Sequence, residues 1–521
     1  MTVAHRVVRT GLRCLLAPGL CCALVFAAAT GPARGAGPVG LRLQSADFVL
    51  WTTHAESRAR QLAGDVSRFR RAVEALLGLQ LPPGLPTRIF AMDAATWRDL
   101  GASRTGTAGL FVAHPFSADL LFDASTTAPL ALELMFHEYV HYLLRTLRPE
   151  GHPAFFDEGL AEALSAVRFD RDRLRIALRP DHLQRLRRGA WLPFDRLVEV
   201  RRRDPHYVEP ELAQAFYAQS WATVYFSLAT TTADERRAVR YLRALDAGEP
   251  AHEAAAMLAG VPPEGANAEI RDFFFGPNAP AEIELFFAPD ADASRAGLQA
   301  VDATTYRLAL GELALRLGQR ADRAAALFES TADPDPVRRA RSEVGLAMAR
   351  LQAGRRAESA ALADRVAVPP DLPPESAVVL GRVLFQLSLA TGRPDEPSAA
   401  LRRVRAERAR ALFATALEAP YSWLEATNGY VLTSIALDRR ESDLLGRAEA
   451  AFAAAPTSSE LAVALALLHD LERRPTEARR YWTAAARNLQ DGPARLRVLR
   501  ELGQSTAAVI EPLPVPEAGR K

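Results

Sequence analysis

The chain has 521 residues, with 64 basic and 62 acidic side chains and a net charge of only +2. No extended basic block occurs, which argues against nucleic acid as a partner, and the length exceeds one ordinary domain. All three cysteines (Cys14, Cys21, Cys22) lie near the N-terminus, and the basic charge is nearly all arginine, with Lys521 the only lysine.

Residues 1–36 read as an export signal. "MTVAHRVVRTGLR" carries Arg6, Arg9 and Arg13 without an acid, "CLLAPGLCCALVFAAAT" is apolar, and small residues follow. This is the order of a secretory signal peptide, with cleavage expected after Ala29 or near Ala36; a retained anchor is the alternative. Leu20 before Cys21 and Cys21 before Cys22 do not suit a lipoprotein. The mature chain is therefore expected to be periplasmic or secreted, without cysteine, disulfide or thiolate metal site, and without a transmembrane span.

Residues 37–295 are expected to form an α+β domain. "DFVLWTT" reads as a strand. "ESRARQLAGDVSRFRRAVEALLG" reads as an amphipathic helix, with Leu62, Val66, Phe69, Val73, Leu76 and Leu77 at helical spacing. "TRIFAM" is strand-like, and "AGLFVAHPFSADLLFD" predicts a hairpin. "DRDRLRIAL" fits either a short strand or a helical turn, whereas "PELAQAFYAQSWATVYFSLAT" predicts a helix.

Within this region lies "LELMFHEYVHYLLRTLRPEGHPAFFDEGLAEAL". His137 and His141 are four residues apart and so share one helix face, a spacing that suits two ligands of a tetrahedral Zn²⁺. Glu138, next to the first, is placed to take a proton from the attacking water in the H-E-x-x-H pattern of zinc hydrolases. Pro149, Gly151 and Pro153 break the helix, and a second helix can return Glu158 as third ligand. Asp157 and Glu162 are the next candidates for that place; Glu162, one turn on, could instead accept the spare N–H of a ligating histidine. The apolar neighbours Leu132, Leu134, Met135, Phe136, Val140, Leu143 and Leu144 predict a buried helix, in which two unpartnered imidazoles and a carboxylate would be costly. One zinc per chain resolves that cost. His114, His152 and His206 read as surface or loop residues.

From about 300 the composition shifts to alanine, leucine and arginine, and helix pairs recur. Gly318, Gly354 and Gly392, then turns near Arg439 and Arg474, mark a period close to that of tetratricopeptide-like repeats. Residues 300–510 are thus expected to be an all-α repeat domain able to fold alone, with a protein partner on the repeats. A chain cut near 295 is expected to keep its zinc site.

At "HEYVH" and "FFDEGLAEAL" the sequence resembles the gluzincin zinc metallopeptidases, and more closely a peptidase-MA-like group of exported bacterial proteins with C-terminal helical repeats. "SADFVLWTT", "AGLFV" and "YAQSWATVYFSL" are similar to elements of that group, so the resemblance covers about 40–230. It implies a zincin-like fold, a peptide or protein substrate, Glu158 as the third ligand, and a substrate strand laid along a sheet edge formed by "GLFVA" or "DLLFD". It also implies an oxyanion-stabilising tyrosine, for which Tyr217 is the candidate; core packing of that ring is the alternative. The spacer between the motif halves is shorter than in the aminopeptidase branch, and no G-x-M-E-N motif precedes the zinc helix, which favours an endopeptidase. A second reading is an exported repeat scaffold with an inactive or structural zinc domain; a third is a zinc hydrolase acting on cell-wall or other non-protein amides.

Overall fold

The computed structural model describes residues 39–488, except 46–47, 79–86, 101–108, 115, 124–127, 148–151, 171–172, 231–236, 278, 280–281, 287–296, 319–320, 330–332, 390–396 and 420. The predicted signal segment, its cysteines, Gly392 and the end of the predicted repeat region lie outside the described residues. The described chain is mostly helical, with a mixed sheet near its beginning, so the α+β-plus-helical organisation holds at that level. No helix among the described residues is long and apolar enough to cross a membrane.

The first elements are β1 (Gly40–Gln44), β2 (Phe48–Thr52), α1 (Glu56–Leu77), β3 (Thr87–Met92), α2 (Ala94–Asp99), β4 (Gly109–Ala113) and β5 (Ala118–Asp123). After them come α3 (Ala128–Leu147), α4 (Ala154–Ser165), β6 (Val167–Asp170), β7 (Arg173–Ile176), α5 (Pro180–Arg188), α6 (Phe194–Glu199), α7 (Pro205–Val208) and α8 (Pro210–Ala229). The segment left open as strand or helical turn is thus the strand β7, paired antiparallel with β6. Helices α9 (Arg237–Asp246), α10 (Ala251–Ala259) and α11 (Pro263–Phe275) lead to β8 (Ile283–Phe286) and β9 (Gly297–Val301).

Six strands form one sheet in the order β4-β5-β3-β2-β1-β9. β2, β3 and β5 run parallel, while β4, β1 and β9 pair antiparallel with their neighbours. Of the two candidate edge strands, only β4 ("GLFVA") lies at the edge; β5 ("DLLFD") is internal. Alternation along the strands separates two apolar faces. Phe48 and Leu50 of β2, Ile89 and Ala91 of β3, and Leu120 and Phe122 of β5 share a core with α1, α3 and α4. Val49, Trp51, Phe90, Met92 and Leu121 point the other way, into a core shared with later helices. Both faces are therefore covered, which is why these strands read as unbroken apolar runs.

The later helices are α12 (Ala303–Leu317), α13 (Ala321–Glu329), α14 (Pro336–Gln352), α15 (Arg356–Arg365), α16 (Pro374–Ser388), α17 (Ala399–Ala414), α18 (Trp423–Ala436), α19 (Leu444–Ala454), α20 (Ser459–Leu471) and α21 (Pro475–Asn488). α12, α14, α16, α18 and α20 each touch the next of the series, so the helix pairs stack. The turn positions Gly318 and Gly354 have left-handed φ of +64° and +77°; farther on Asp438 and Arg473 take φ of +52° and +57°, so the same turn recurs without glycine. Phe328 fills the space that a Cβ at Gly345 would need, at 2.2 Å, and Phe413 does the same opposite Gly429, at 2.4 Å.

The helical region does not stand apart from the sheet. β9, which straddles the boundary expected between 295 and 300, pairs with β1 along five residues from Gly40↔Val301 to Gln44↔Gly297. Leu308, Leu313, Val344 and Leu384 of the stacked helices share a core with the back of the sheet. Arg316 Nε of α12 donates to Oδ2 of the fully buried Asp119 on β5 at 2.7 Å. Arg88 Nε lies 3.2 Å from Oδ1 of the same carboxylate and His114 Nε2 lies 2.8 Å from Oδ2. His114 is thus in the β4–β5 turn, as a loop residue should be, but it is largely buried and serves an internal charge cluster. Phe116, at the same turn, packs against a small buried cluster of Leu424, Ala451, Ala455 and Leu461 from the α18–α20 region.

Candidate metal centre

Helix α3 carries the first half of the motif. Its apolar side is held by Met135, Phe136, Tyr139, Val140, Leu143 and Leu144, all buried. Phe136 stacks on Phe69 of α1 with ring centroids 3.9 Å apart, and Tyr142 meets Phe111 of the edge strand β4 at 5.6 Å. After the turn, Pro153 starts α4, whose side chains are almost all buried, Asp157 and Glu158 among them. Gly159 explains how α4 can lie so close to α8: a Cβ there would stand 2.4 Å from the carbonyl oxygen of Ser220. The glycine after Glu158 is thus a packing requirement, and it seats the carboxylate against the histidine helix.

His137, His141 and Glu158 converge. The two Nε2 atoms are 3.2 Å apart, and Oε2 of Glu158 lies 3.6 Å from that of His137 and 3.5 Å from that of His141. A tetrahedral ion with bonds of about 2.0–2.2 Å to nitrogen and oxygen requires donor–donor edges of roughly 3.3–3.6 Å. The triangle matches that size, and its donors are those zinc accepts.

Carboxylates stand behind the imidazoles. His141 Nδ1 donates to Oδ1 of Asp157 at 2.9 Å, and His137 Nδ1 faces Oε1 of Glu162 at 3.6 Å. A proton held on each Nδ1 leaves the Nε2 lone pairs directed at one another's neighbourhood and at Glu158. Asp157 thus bonds to His141 from outside the donor triangle, while Glu162 faces His137 as an ion-pair partner at 3.6 Å, beyond hydrogen-bond distance. Further out, Arg202 Nη2 donates to Oδ2 of Asp157 at 2.6 Å. His182 Nε2 lies 3.1 Å from Glu162, and Arg179 donates to the same carboxylate.

The charge balance follows from this layout. Burial alone would lower the pKa of both imidazoles, but Glu158 and Glu162 around His137, and Asp157 and Glu158 around His141, more than offset it. Both lie above the usual histidine range, His141 well above. Burial would raise Glu158 and Glu162, yet the neighbouring histidines, with Arg179 at Glu162, hold both far below the usual carboxylate range. The buried Asp157 and Glu158, with the half-buried Glu162, thus demand positive charge at the imidazoles, which protons or a bound cation can supply.

Glu138 is half-buried and has no hydrogen-bond or ion-pair partner among the described residues. In this it differs from Asp157, Glu158 and Glu162, which are all engaged. Tyr217 is also half-buried; its ring lies 6.0 Å from that of Tyr207, and its hydroxyl interacts with the Tyr207 hydroxyl. The phenol that reaches the triangle is Tyr207, which donates to Oε1 of Glu158 at 2.6 Å. Burial, followed by the Glu158 charge, pushes both phenols far up, so both stay protonated.

Tyr207, Arg202, His182 and Arg179 did not emerge from the sequence. The Asp204–Pro205 pair signals a helix start, and Asp204 does cap α7 by accepting from the His206 N–H. That signal says nothing of where the turn lands, and Tyr207 and Glu158 are 49 residues apart. His206 bonds to Asp204 and His152 to the Leu144 carbonyl, both local loop contacts. No family model, no curated protein and no solved structure matches the chain.

Proposed function

We propose that the chain is a zinc-dependent peptidase of the gluzincin kind, cutting within peptides, with His137, His141 and Glu158 holding one Zn²⁺ per chain and Glu138 as general base. The observation that carries this reading is the donor triangle, with edges of 3.2, 3.5 and 3.6 Å and a carboxylate behind each imidazole, beside Glu138, which has no partner among the described residues. A purely structural site has no need of that free acid.

A divalent ion held there would supply Lewis acidity to a scissile carbonyl and to an attacking water. Glu138 would take the proton of that water and return it to the leaving amine. Asp157 and Glu162 keep the imidazoles in the tautomer that donates through Nε2. β4, packed on α3 through Phe111 and Tyr142, is the sheet edge among the described residues and lies beside the histidine helix, which favours an extended peptide over other amides. Export by the N-terminal segment belongs to the same proposal. The scaffold reading has less support, because the helices that would form its groove are packed on the sheet.

Metal analysis of the purified chain, with turnover of a peptide panel by wild type and Glu138→Gln, tests this. About one zinc per chain is expected in both, with turnover lower by at least ~10²–10⁴-fold in the variant; equal turnover would end the mechanism. Tyr217→Phe should cost on the order of 10²-fold if its hydroxyl meets the oxyanion and almost nothing if the ring only packs.

A further inference from the structure

Glu158 presents its two oxygens to different partners. Oε2 faces the two imidazole nitrogens, at 3.5 and 3.6 Å. Oε1 accepts from the Tyr207 hydroxyl at 2.6 Å, the short distance of a charge-assisted bond. Glu158 is itself buried and fixed in place by the Gly159 packing of α4 on α8. Tyr207 is fixed on the same helix: α7 is capped by Asp204, and the Tyr207 ring packs on Phe216 and Tyr217 of α8, with centroids at 5.9 and 6.0 Å. The two ends of the hydrogen bond are thus both anchored on α8, so the bond is built into the fold and does not depend on a mobile surface side chain.

We propose that Tyr207 is a positioning residue that commits Glu158 to one-oxygen ligation, by occupying Oε1 and leaving only Oε2 for the metal. A carboxylate free at both oxygens can swing to chelate through both, and that would fill the position a hydrolytic site must keep open. The hydroxyl excludes this by holding Oε1, and the Tyr217 hydroxyl beside it steadies Tyr207 in turn. Tyr207 touches neither substrate nor reacting atoms in this role. The inference rests on the metal reading given under Proposed function, but not on peptide hydrolysis.

The test uses the full chain loaded with Co²⁺ in place of zinc, whose visible absorption reports coordination number, together with zinc affinity by competition against a chromophoric chelator. Tyr207→Phe keeps the ring and its packing and removes only the hydroxyl. The expected result is a weaker, blue-shifted cobalt band, signalling a fifth donor oxygen, with zinc affinity altered about 10–100-fold as is usual when an outer partner of a ligand is lost. Tyr217→Phe should move both readouts less, and equal thermal unfolding of the metal-free variants checks that the fold is intact. An unchanged cobalt spectrum and unchanged affinity in Tyr207→Phe would overturn the proposal. A wild type that takes up no metal would overturn it together with its premise. A wild type that binds metal and cuts no peptide, but shows the expected spectral change, would remove the peptidase reading and leave Tyr207 in its role.

Discussion

Arg316 of α12 and Asp119 of β5 are joined by a 2.7 Å hydrogen bond that crosses from the stacked helices into the sheet. Asp119 is fully buried, and Arg88 and His114 complete its surroundings. Burial would raise its pKa, but Arg316 and Arg88, with His114 behind them, hold it far below the usual carboxylate range. A carboxylate depressed in the folded state contributes stability that is complete above its unfolded value, near 4, and is lost as pH falls below it. Asp119→Ala should destabilise the protein by about 1.5–3 kcal/mol at neutral pH, because it removes the shared acceptor of two half-buried guanidinium groups. Chemical denaturation from pH 7 to pH 3 checks both points: the wild type should weaken on acidification and the variant should start low and change less.

Gly159→Ala places a methyl where Ser220 O would lie 2.4 Å away. Such overpacking typically costs about 1–3 kcal/mol. Since the neighbouring residue is Glu158, the shift of α4 should also weaken zinc retention. Thermal unfolding and metal content of the same preparation should fall together; a stable variant with full zinc would mean that α4 and α8 can separate without moving the ligand.

His137→Ala or His141→Ala should abolish metal retention, and Glu158→Ala should weaken it severely. Asp157→Asn is the sharper probe. It keeps a side-chain oxygen near His141 Nδ1 but loses the charge that also pairs with Arg202, and zinc affinity should drop about 10–100-fold with the fold retained. Competition titration with a chelator measures this directly. A complete loss equal to that of His141→Ala would make Asp157 a ligand instead of a support.

A chain ending near 295 was expected from composition to keep its zinc site, and the packing gives reason to expect otherwise. The cut removes β9 from β1 and uncovers Val49, Trp51, Phe90, Met92 and Leu121 on the back of the sheet. An exposed apolar patch of this kind promotes aggregation. The truncated chain should be poorly soluble, whereas residues 39–488 together should give a single cooperative transition in calorimetry.

Local signals carried much of this fold. The 3.6-residue spacing in "ESRARQLAGDVSRFRRAVEALLG" became α1, and the hairpin and the histidine helix appeared where their patterns put them. Three ligand candidates were legible because two lie on one helix turn and the third sits beside a glycine that helix packing requires. The partners of those ligands were not, since Tyr207 and Arg202 reach Glu158 and Asp157 from a turn placed only by the tertiary fold. The contact between the two regions was not legible for a related reason: composition changes at 300, but the back of the six-stranded sheet is covered by the later helices.

Phe116 packs the tip of the β4–β5 hairpin against Leu424, Ala451, Ala455 and Leu461. A strand at a sheet edge normally gives up conformational freedom when another strand is laid along it, and that loss subtracts from affinity. Here the turn is already packed from behind by helices from far later in the chain, so less freedom remains to be lost. Under the proposed docking of a peptide along β4, loosening the stacked helices should weaken that recognition while leaving His137, His141 and Glu158 where they are.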